Sequence, residues 1–277
     1  MRQPKGVLDV ELISDRTGTT RVVRREQRFP LHLTVPMYLD DRIPGMAFIY
    51  VQNPSGAVFG DDRLSLRVAA SNGAKVHITT TSATKLHRMC GGPARQQVTL
   101  EVKGRSYVEY IPDPLIPQAE SSYEQSTTIA LDSGSMVVAS EIIAPGRLAR
   151  GESFAFRKLR LDTQVIIDGS TELIDSLAME PSDIPVDVIG VLGSYYYAGS
   201  LLTLAPGRDN AGLAVELSRM AQEGPDFQLG TGLLPGAVGV LVRVLARSSA
   251  TVKRLIDQAW ACSRAEMIGA PLPMRRK

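Results

Sequence analysis

His87, Met89 and Cys90 stand within four residues of one another in KLHRMCGG, and a soft metal ion takes ligands of those three types. The spacing matches no common zinc finger and no second ligand pair stands nearby, so direct ligation competes with a plain structural role. His32 and His77 sit in alternating apolar segments and read as structural or solvent-facing. Among the carboxylates, Asp61, Asp62, Glu141 and Glu152 are the candidates for cation or acid–base chemistry, the plainer role of each being a turn cap or a surface ion pair.

Other chemistries are poorly served. In NPSGAVFGDDRL (53–64) Gly56 and Gly60 are followed by Asp61 and Asp62, which repel a phosphate where a Walker loop supplies Lys and Ser or Thr. G-x-S-x-G is absent, and none of the three histidines lies in a glycine-framed loop that would advertise a hydrolytic triad. In PGRLARGE (145–152), a Pro-Gly turn precedes Arg147, Arg150 and Glu152, and Arg150 is expected to clasp a carboxylate of another turn.

The elements that must position these residues are mostly strands. Alternation runs from about residue 6 to 204, as in Leu64, Leu66 and Val68 against Ser65 and Arg67. Further strands are expected at 75–81, 98–102, 106–111, 124–131, 135–143, 153–161 and 163–169, separated by turns such as SNG, KGR, DSGS and IDGS. Helical spacing is clear at 211–223 and at 249–267, the second with Ser249 as its N-cap and Trp260 on its apolar stripe. The fold class is therefore mainly β, a large β-sandwich or β-superhelical scaffold with two helices in the C-terminal half. One domain over 1–277 is expected, with a strand-rich part (6–204) and a helix-containing part (205–277).

Composition sets the outer bounds. With 31 Lys and Arg against 29 Asp and Glu, the net charge of +2 provides no general field for steering nucleic acid. No apolar run reaches membrane-spanning length and the first residues lack a signal-peptide core, which points to a cytoplasmic protein without membrane or nucleic-acid partners. Cys90 and Cys262 are too few for a disulfide framework and read as reduced thiols.

Four blocks in order, NPSGAVFGDDRL (53–64), ITTTSATKLHR (78–88), EYIPDPLIPQAESSYEQST (109–127) and SEIIAPGRLARGESFAF (140–156), resemble the urease accessory protein UreD (UreH) family. GLLPGAVGVLVRVLA (232–246) and the closing GAPLPMRRK (269–277) fit the same pattern. The family's glycine-rich block reads closer to GG(V/I)xGGD, so Ala57 and Asp61 replace two expected glycines and the family's aspartate matches Asp62. A positive φ at these places is better tolerated by Asp than by Ala. The family's TTQ is here Thr79-Thr80-Thr81.

The resemblance implies a non-catalytic scaffold or chaperone that works with UreF-like and UreG-like (GTPase) partners to place nickel in apo-urease. It implies no tightly bound cofactor, transient Ni²⁺, and an internal water-filled route through the β-scaffold. Candidates for the nickel path are Asp62, Glu141, Glu152 and His87. Candidates for the partner surface are Trp260 and the basic end Arg275, Arg276 and Lys277. Residues of the motifs expected to shape the scaffold are Gly56, Gly60, Arg63, Thr79, Thr80, Lys85, Pro112, Pro145, Gly146, Arg147 and Arg150. Two alternatives from other classes are a carbohydrate-active enzyme using Asp61, Asp62 or Glu141 with Arg147, and a standalone nickel store built on His87, Met89 and Cys90.

Overall fold

The computed structural model describes residues 5–220 and 224–273. Along the chain run β1 (Gly6–Ser14), β2 (Thr20–Arg28), β3 (His32–Leu33), β4 (Ala47–Gln52), β5 (Arg63–Ser71), β6 (Lys75–Thr80), β7 (Thr84–Leu86), β8 (Ala94–Val102), β9 (Tyr107–Tyr110), β10 (Leu115–Pro117), β11 (Ser122–Leu131) and β12 (Met136–Ile143). They are followed by β13 (Lys158–Ile167), β14 (Ser170–Met179), β15 (Tyr197–Leu204), helix α1 (Asn210–Arg219), β16 (Phe227–Leu233), β17 (Gly239–Ala246) and helix α2 (Ser249–Ile268).

From β4 onward the chain winds as a flattened superhelix. Strands β4, β6, β9 and β12 fall in one sheet and β5, β8, β11 and β13 in the other, so each coil contributes one strand to each face. Neighbouring coils pair in parallel, for example Leu66 with Val98 and Val98 with Thr127. The ends are closed by antiparallel strands, β2 and β14 on the first sheet edges and β15, β17 and β16 on the second sheet. Parallel pairing of this kind requires a long return path between neighbours, which the facing sheet supplies here.

Alternation explains which way the side chains turn. On β5, Leu64, Leu66, Val68 and Ala70 are buried against the opposite sheet while Ser65, Arg67 and Ala69 face outward. The second sheet is covered on both faces, which is why AFIYV and YVEY are buried throughout. Its inner residues, such as Val108 and Tyr110, join the intersheet core; its outer residues, such as Phe48 and Tyr107, pack beneath α1 and α2. Gly199 permits the close approach of α2, since a Cβ there would stand 2.8 Å from Val252 and 3.2 Å from Ile256.

Three expectations about the elements need correction, and a fourth falls partly outside the described residues. The segments 153–161 and 163–169 are not two strands: β13 runs unbroken through Asp162 and Thr163, because both remain paired with β11 and neither is a turn former strong enough to end the ladder. The cap of α2 is Ser248, whose side chain accepts from the Thr251 N–H, so the helix itself begins at Ser249. Strands continue beyond residue 204, since β16 and β17 lie in the part expected to hold the helices. Helix α1 runs Asn210–Arg219 with Met220 as its C-cap, and residues 221–223 of its expected span lie outside the described residues.

The loop after β12 is held by its own side chains. Arg147 Nε donates to Glu152 Oε2 at 2.7 Å and its terminal nitrogen donates to Oε1, while Glu152 Oε2 also accepts from the Ala119 N–H at 3.3 Å. The clasp expected of Arg150 is therefore made by Arg147, and within one loop rather than between turns, because Arg150 stands exposed on a short 3-10 turn. The hydrogen bonds from Arg147 hold the Glu152 carboxyl below its ordinary value. Gly146 has φ of 132°, and a Cβ there would meet Glu152 O at 3.0 Å and Pro117 O at 3.2 Å. Gly146→Ala should therefore cost about 2 kcal/mol, read as a lower urea midpoint; the neighbouring Gly151→Ala, whose Cβ would meet open space, serves as the comparison for φ strain alone.

Candidate functional site

The two sheets do not close completely on one another. Between them lies a cavity of about 170 Å³, room for about six waters at their liquid volume of about 30 Å³. Its lining crosses β4, β6, β9, β12, β15 and β17 of the second sheet, a span of roughly 24 Å at about 4.8 Å per strand. Exposed Lys85 marks one end and exposed Arg243 the other.

The register shows how the sequence makes this space polar. On the first sheet, one inward row runs Leu66, Val98, Thr127, Thr163 and Asp175, and the row beside it runs Leu64, Gln96, Gln125, Leu161 and Leu177. Opposite them on the second sheet, Glu141, Ser200 and Arg243 are directly paired neighbours on β12, β15 and β17. In the first row polar side chains thus replace aliphatic ones toward the C-terminal coils, in the second Gln96 and Gln125 stand between leucines, and charges enter at Glu141, Asp175 and Arg243.

Hydrogen bonds join the rows. Tyr123 Oη stands 3.0 Å from Oε1 of both Gln96 and Gln125 and donates to one at a time. Gln125 Nε2 donates to Thr127 Oγ1 at 3.2 Å and across the cavity to Glu141 Oε1 at 3.1 Å. At the far end Arg243 donates to Asp175 Oδ1 and bridges the two sheets. Burial pushes the Glu141 carboxyl up, and the charge of Asp175 adds to it, to about 7 against the opposing effects of Gln125 and Arg243. Burial also raises the Tyr110 and Tyr123 hydroxyls, so both stay protonated donors.

Glu141 carries a pH signature. Its folded value of about 7 exceeds the ordinary 4.5, so the stability it lends is complete below pH 4.5 and is lost as pH rises through 7. Because the cavity is open at its ends and this softens the penalty, the loss should be on the order of 2 kcal/mol, and Glu141→Gln should abolish it. Urea midpoints of the two proteins at several pH values, converging under acid and separating toward pH 8, would check this.

The sequence candidates fall unevenly around the cavity. Glu141 lines it, as do Gly56, Thr80, Lys85 and Pro112 at the Lys85 end, so residues from three of the four motif blocks surround that end. Thr80 Oγ1 accepts from the Asp113 N–H at 2.9 Å and fixes the strand end there. Asp62, Glu152 and His87 are not among the lining residues. Asp62 accepts from the Phe59 N–H at 2.8 Å, a turn cap that orders the loop beside β5. Asp61, at φ of 64°, takes the left-handed conformation where the family has glycine, and its N–H donates to Gly92 O of the next coil. Gly60 lies close to that coil, where a Cβ would meet Gly92 O and Met89 Cβ, both at 3.3 Å; Arg63 opens β5 and its carbonyl accepts from Lys5 N. Pro145 O accepts from the Phe154 N–H at 2.6 Å.

The His87, Met89 and Cys90 trio is split by the fold. His87 and Cys90 are exposed, whereas the Met89 sulfur is buried and accepts from the Ser122 N–H at 3.3 Å. Among the described residues no three His, Cys, Asp or Glu side chains gather as a metal cluster. Trp260, weighed as a partner anchor, is fully buried instead: the apolar stripe of α2 turns it against the second sheet, where it stacks on His77 at 5.2 Å. Arg275, Arg276 and Lys277 lie outside the described residues.

Beneath α2 lies a charged cluster that the sequence reading missed. Arg264 donates to Glu109 and Asp40, its Nε donates to Pro271 O at 2.8 Å, and Glu109 also receives Tyr107 Oη at 2.7 Å and His77 Nδ1 at 2.8 Å. Burial alone would raise the Glu109 carboxyl, but His77, Arg264 and Tyr107 together hold it below its ordinary value. Tyr107 is raised by burial and by the charge of Glu109.

Comparison with known proteins decides the family. A family model described as UreD urease accessory protein matches residues 5–277. The chain belongs to the UreD urease accessory protein family. It is 32% identical over 276 residues to "Urease accessory protein UreD" of Cenarchaeum symbiosum, covering 98% of this chain and 95% of that one. It is 34% identical over 277 residues to "Urease accessory protein UreD 2" of Streptomyces griseus, at 98% and 93% coverage. The corresponding protein of Haloarcula marismortui is 32% identical over 272 residues, at 98% and 90% coverage. Among the described residues of this UreD-family chain, no helix is long and apolar enough to cross a membrane.

Proposed function

We propose that this chain acts in the cytoplasm as a single-domain, non-catalytic scaffold of urease maturation, offering Ni²⁺ a sheltered passage on its way to the apo-urease active site. The observation that carries this reading is the cavity between the sheets, lined by polar as well as apolar side chains and with Glu141 inside it, in a chain of the UreD family. A carboxylate, amide and hydroxyl oxygens, and water are hard and sparse ligands, which bind a borderline divalent ion loosely enough to release it. UreF-like and UreG-like partners complete the assembly on this reading, and GTP hydrolysis belongs to the latter. The acidic pair after Gly60 agrees with that division, since it is hostile to a phosphate.

The nickel ion is cargo here, and the chain's residues do the chemistry of transfer. Glu141 in its ionised form attracts the ion; Gln125, held by Tyr123 and Thr127, keeps the carboxylate pointed across the cavity. Co-expression of urease with its accessory proteins, with and without this chain, tests the reading. Omission should leave urease largely without nickel, whereas unchanged nickel content would overturn it.

A further inference from the structure

The C-terminal end of the cavity is crossed by one ion pair between the sheets, Asp175 of β14 with Arg243 of β17. Both side chains retain solvent exposure, 29% for Asp175 and 50% for Arg243, so this end borders bulk water. Register places Arg243 two strands from Glu141, through Ser200, so a fixed positive charge stands roughly 10 Å from the carboxylate by strand spacing. A cavity that conducts a divalent cation should not carry an unbalanced guanidinium at its rim, and Asp175 is the group that balances it.

We propose that the Asp175–Arg243 pair is a latch across this end of the cavity, opened when a divalent cation beside Glu141 competes with Arg243 for Asp175. This deepens the passage reading and rests on it. The exchange is balanced in charge: the cation takes the Asp175 carboxylate as an outer partner, and the guanidinium, already half in water, swings outward to be solvated. The charges of Asp175 and Arg243 both reach Glu141, the first pushing its carboxyl up and the second pulling it down. Closed, the latch spans this end of the cavity; open, it lets the cation leave past it. Arg243 thus sets how briefly the ion stays.

Equilibrium dialysis of the full chain against Ni²⁺ alone tests the latch without urease or partners. Arg243→Gln should bind Ni²⁺ at least tenfold more tightly than the parent, because both carboxylates lose their competing cation. Arg243→Lys, which keeps the charge, should bind as the parent does, and this controls for simple loosening of the fold. Arg243→Gln combined with Asp175→Asn should lose the gain. An unchanged or weaker affinity in Arg243→Gln, or an equal gain in Arg243→Lys, would overturn the latch. The passage reading fails separately, if nickel content of urease is indifferent to the whole chain while these affinities still shift as stated.

Discussion

Arg264→Met should lower the unfolding free energy by about 3–5 kcal/mol, far more than loss of any single surface ion pair. The substitution leaves Glu109, fully buried, and Asp40, 5% exposed, without the cation that faces both. Met matches the apolar stem of Arg in length and so isolates the loss of charge from the loss of volume. The deficit should be read from urea unfolding of the full chain, with the midpoint falling and the slope retained. Arg264→Met combined with Glu109→Gln should recover part of the loss, because the second change removes one stranded charge. A loss below about 1 kcal/mol would mean that the cluster is wetted and that α2 is held by Trp260 and its apolar neighbours alone.

This cluster also ties the C-terminal helix to the cavity wall. Glu109 and Tyr110 are successive residues of β9, one facing α2 and the other lining the cavity. Arg264 also fixes the chain after α2 through Pro271 O. The helix is therefore part of the scaffold that shapes the cavity, and its outward face, with Lys253, Arg254 and Asp257, is what remains for contact with other molecules.

Much of the fold was legible in the alternation. The inward set Leu64, Leu66 and Val68 and the helical stripe of Val252, Leu255, Ile256 and Ala259 are the buried residues of β5 and α2. The winding was legible only as one of two architectures, sandwich or superhelix, because alternation fixes which face a residue takes and says nothing of which strand lies beside it. The break expected near Asp162 failed for the same reason: parallel neighbours on both sides of β13's partner hold a polar residue in a ladder that isolated propensity would end.

The site was half legible. Glu141 was singled out within a motif block, yet the stronger signal was its parity, since Val137, Ala139, Glu141 and Ile143 alternate and only Glu141 is charged. The same test finds Asp175 between Leu173 and Leu177, and Arg243 between Leu241 and Leu245, neither of which was singled out. A charge at an inward position of a strand signals a wet interior or a buried pair, and three such strands lie at one end of the superhelix. Glu109 broke the same rule on the other face. Asp62, chosen for its place in a motif, caps its own turn, and sequence spacing has no means of separating a capping carboxylate from a ligand.

The second large effect is expected at Glu141. Glu141→Gln preserves shape and the contact with Gln125 while removing the buried carboxylate that Gln125 holds across the cavity, so partner capture should be unchanged and nickel transfer should fall. At limiting nickel the fall should be roughly tenfold, the factor produced by about 1.4 kcal/mol of lost cation stabilisation. Asp62→Ala provides the contrast: as a turn cap outside the lining, its loss should cost about 1 kcal/mol of stability and leave nickel transfer near the parent level once the chain is folded.

The most direct measurement is the nickel content per urease active site, after co-expression with the complete accessory set carrying either the parent chain or Glu141→Gln, at equal recovered amounts of the accessory complex. Nickel reduced roughly tenfold with the complex intact is the result this account predicts. Full nickel occupancy with Glu141→Gln would contradict it, and would mean that the ion reaches urease by a route that does not use this cavity.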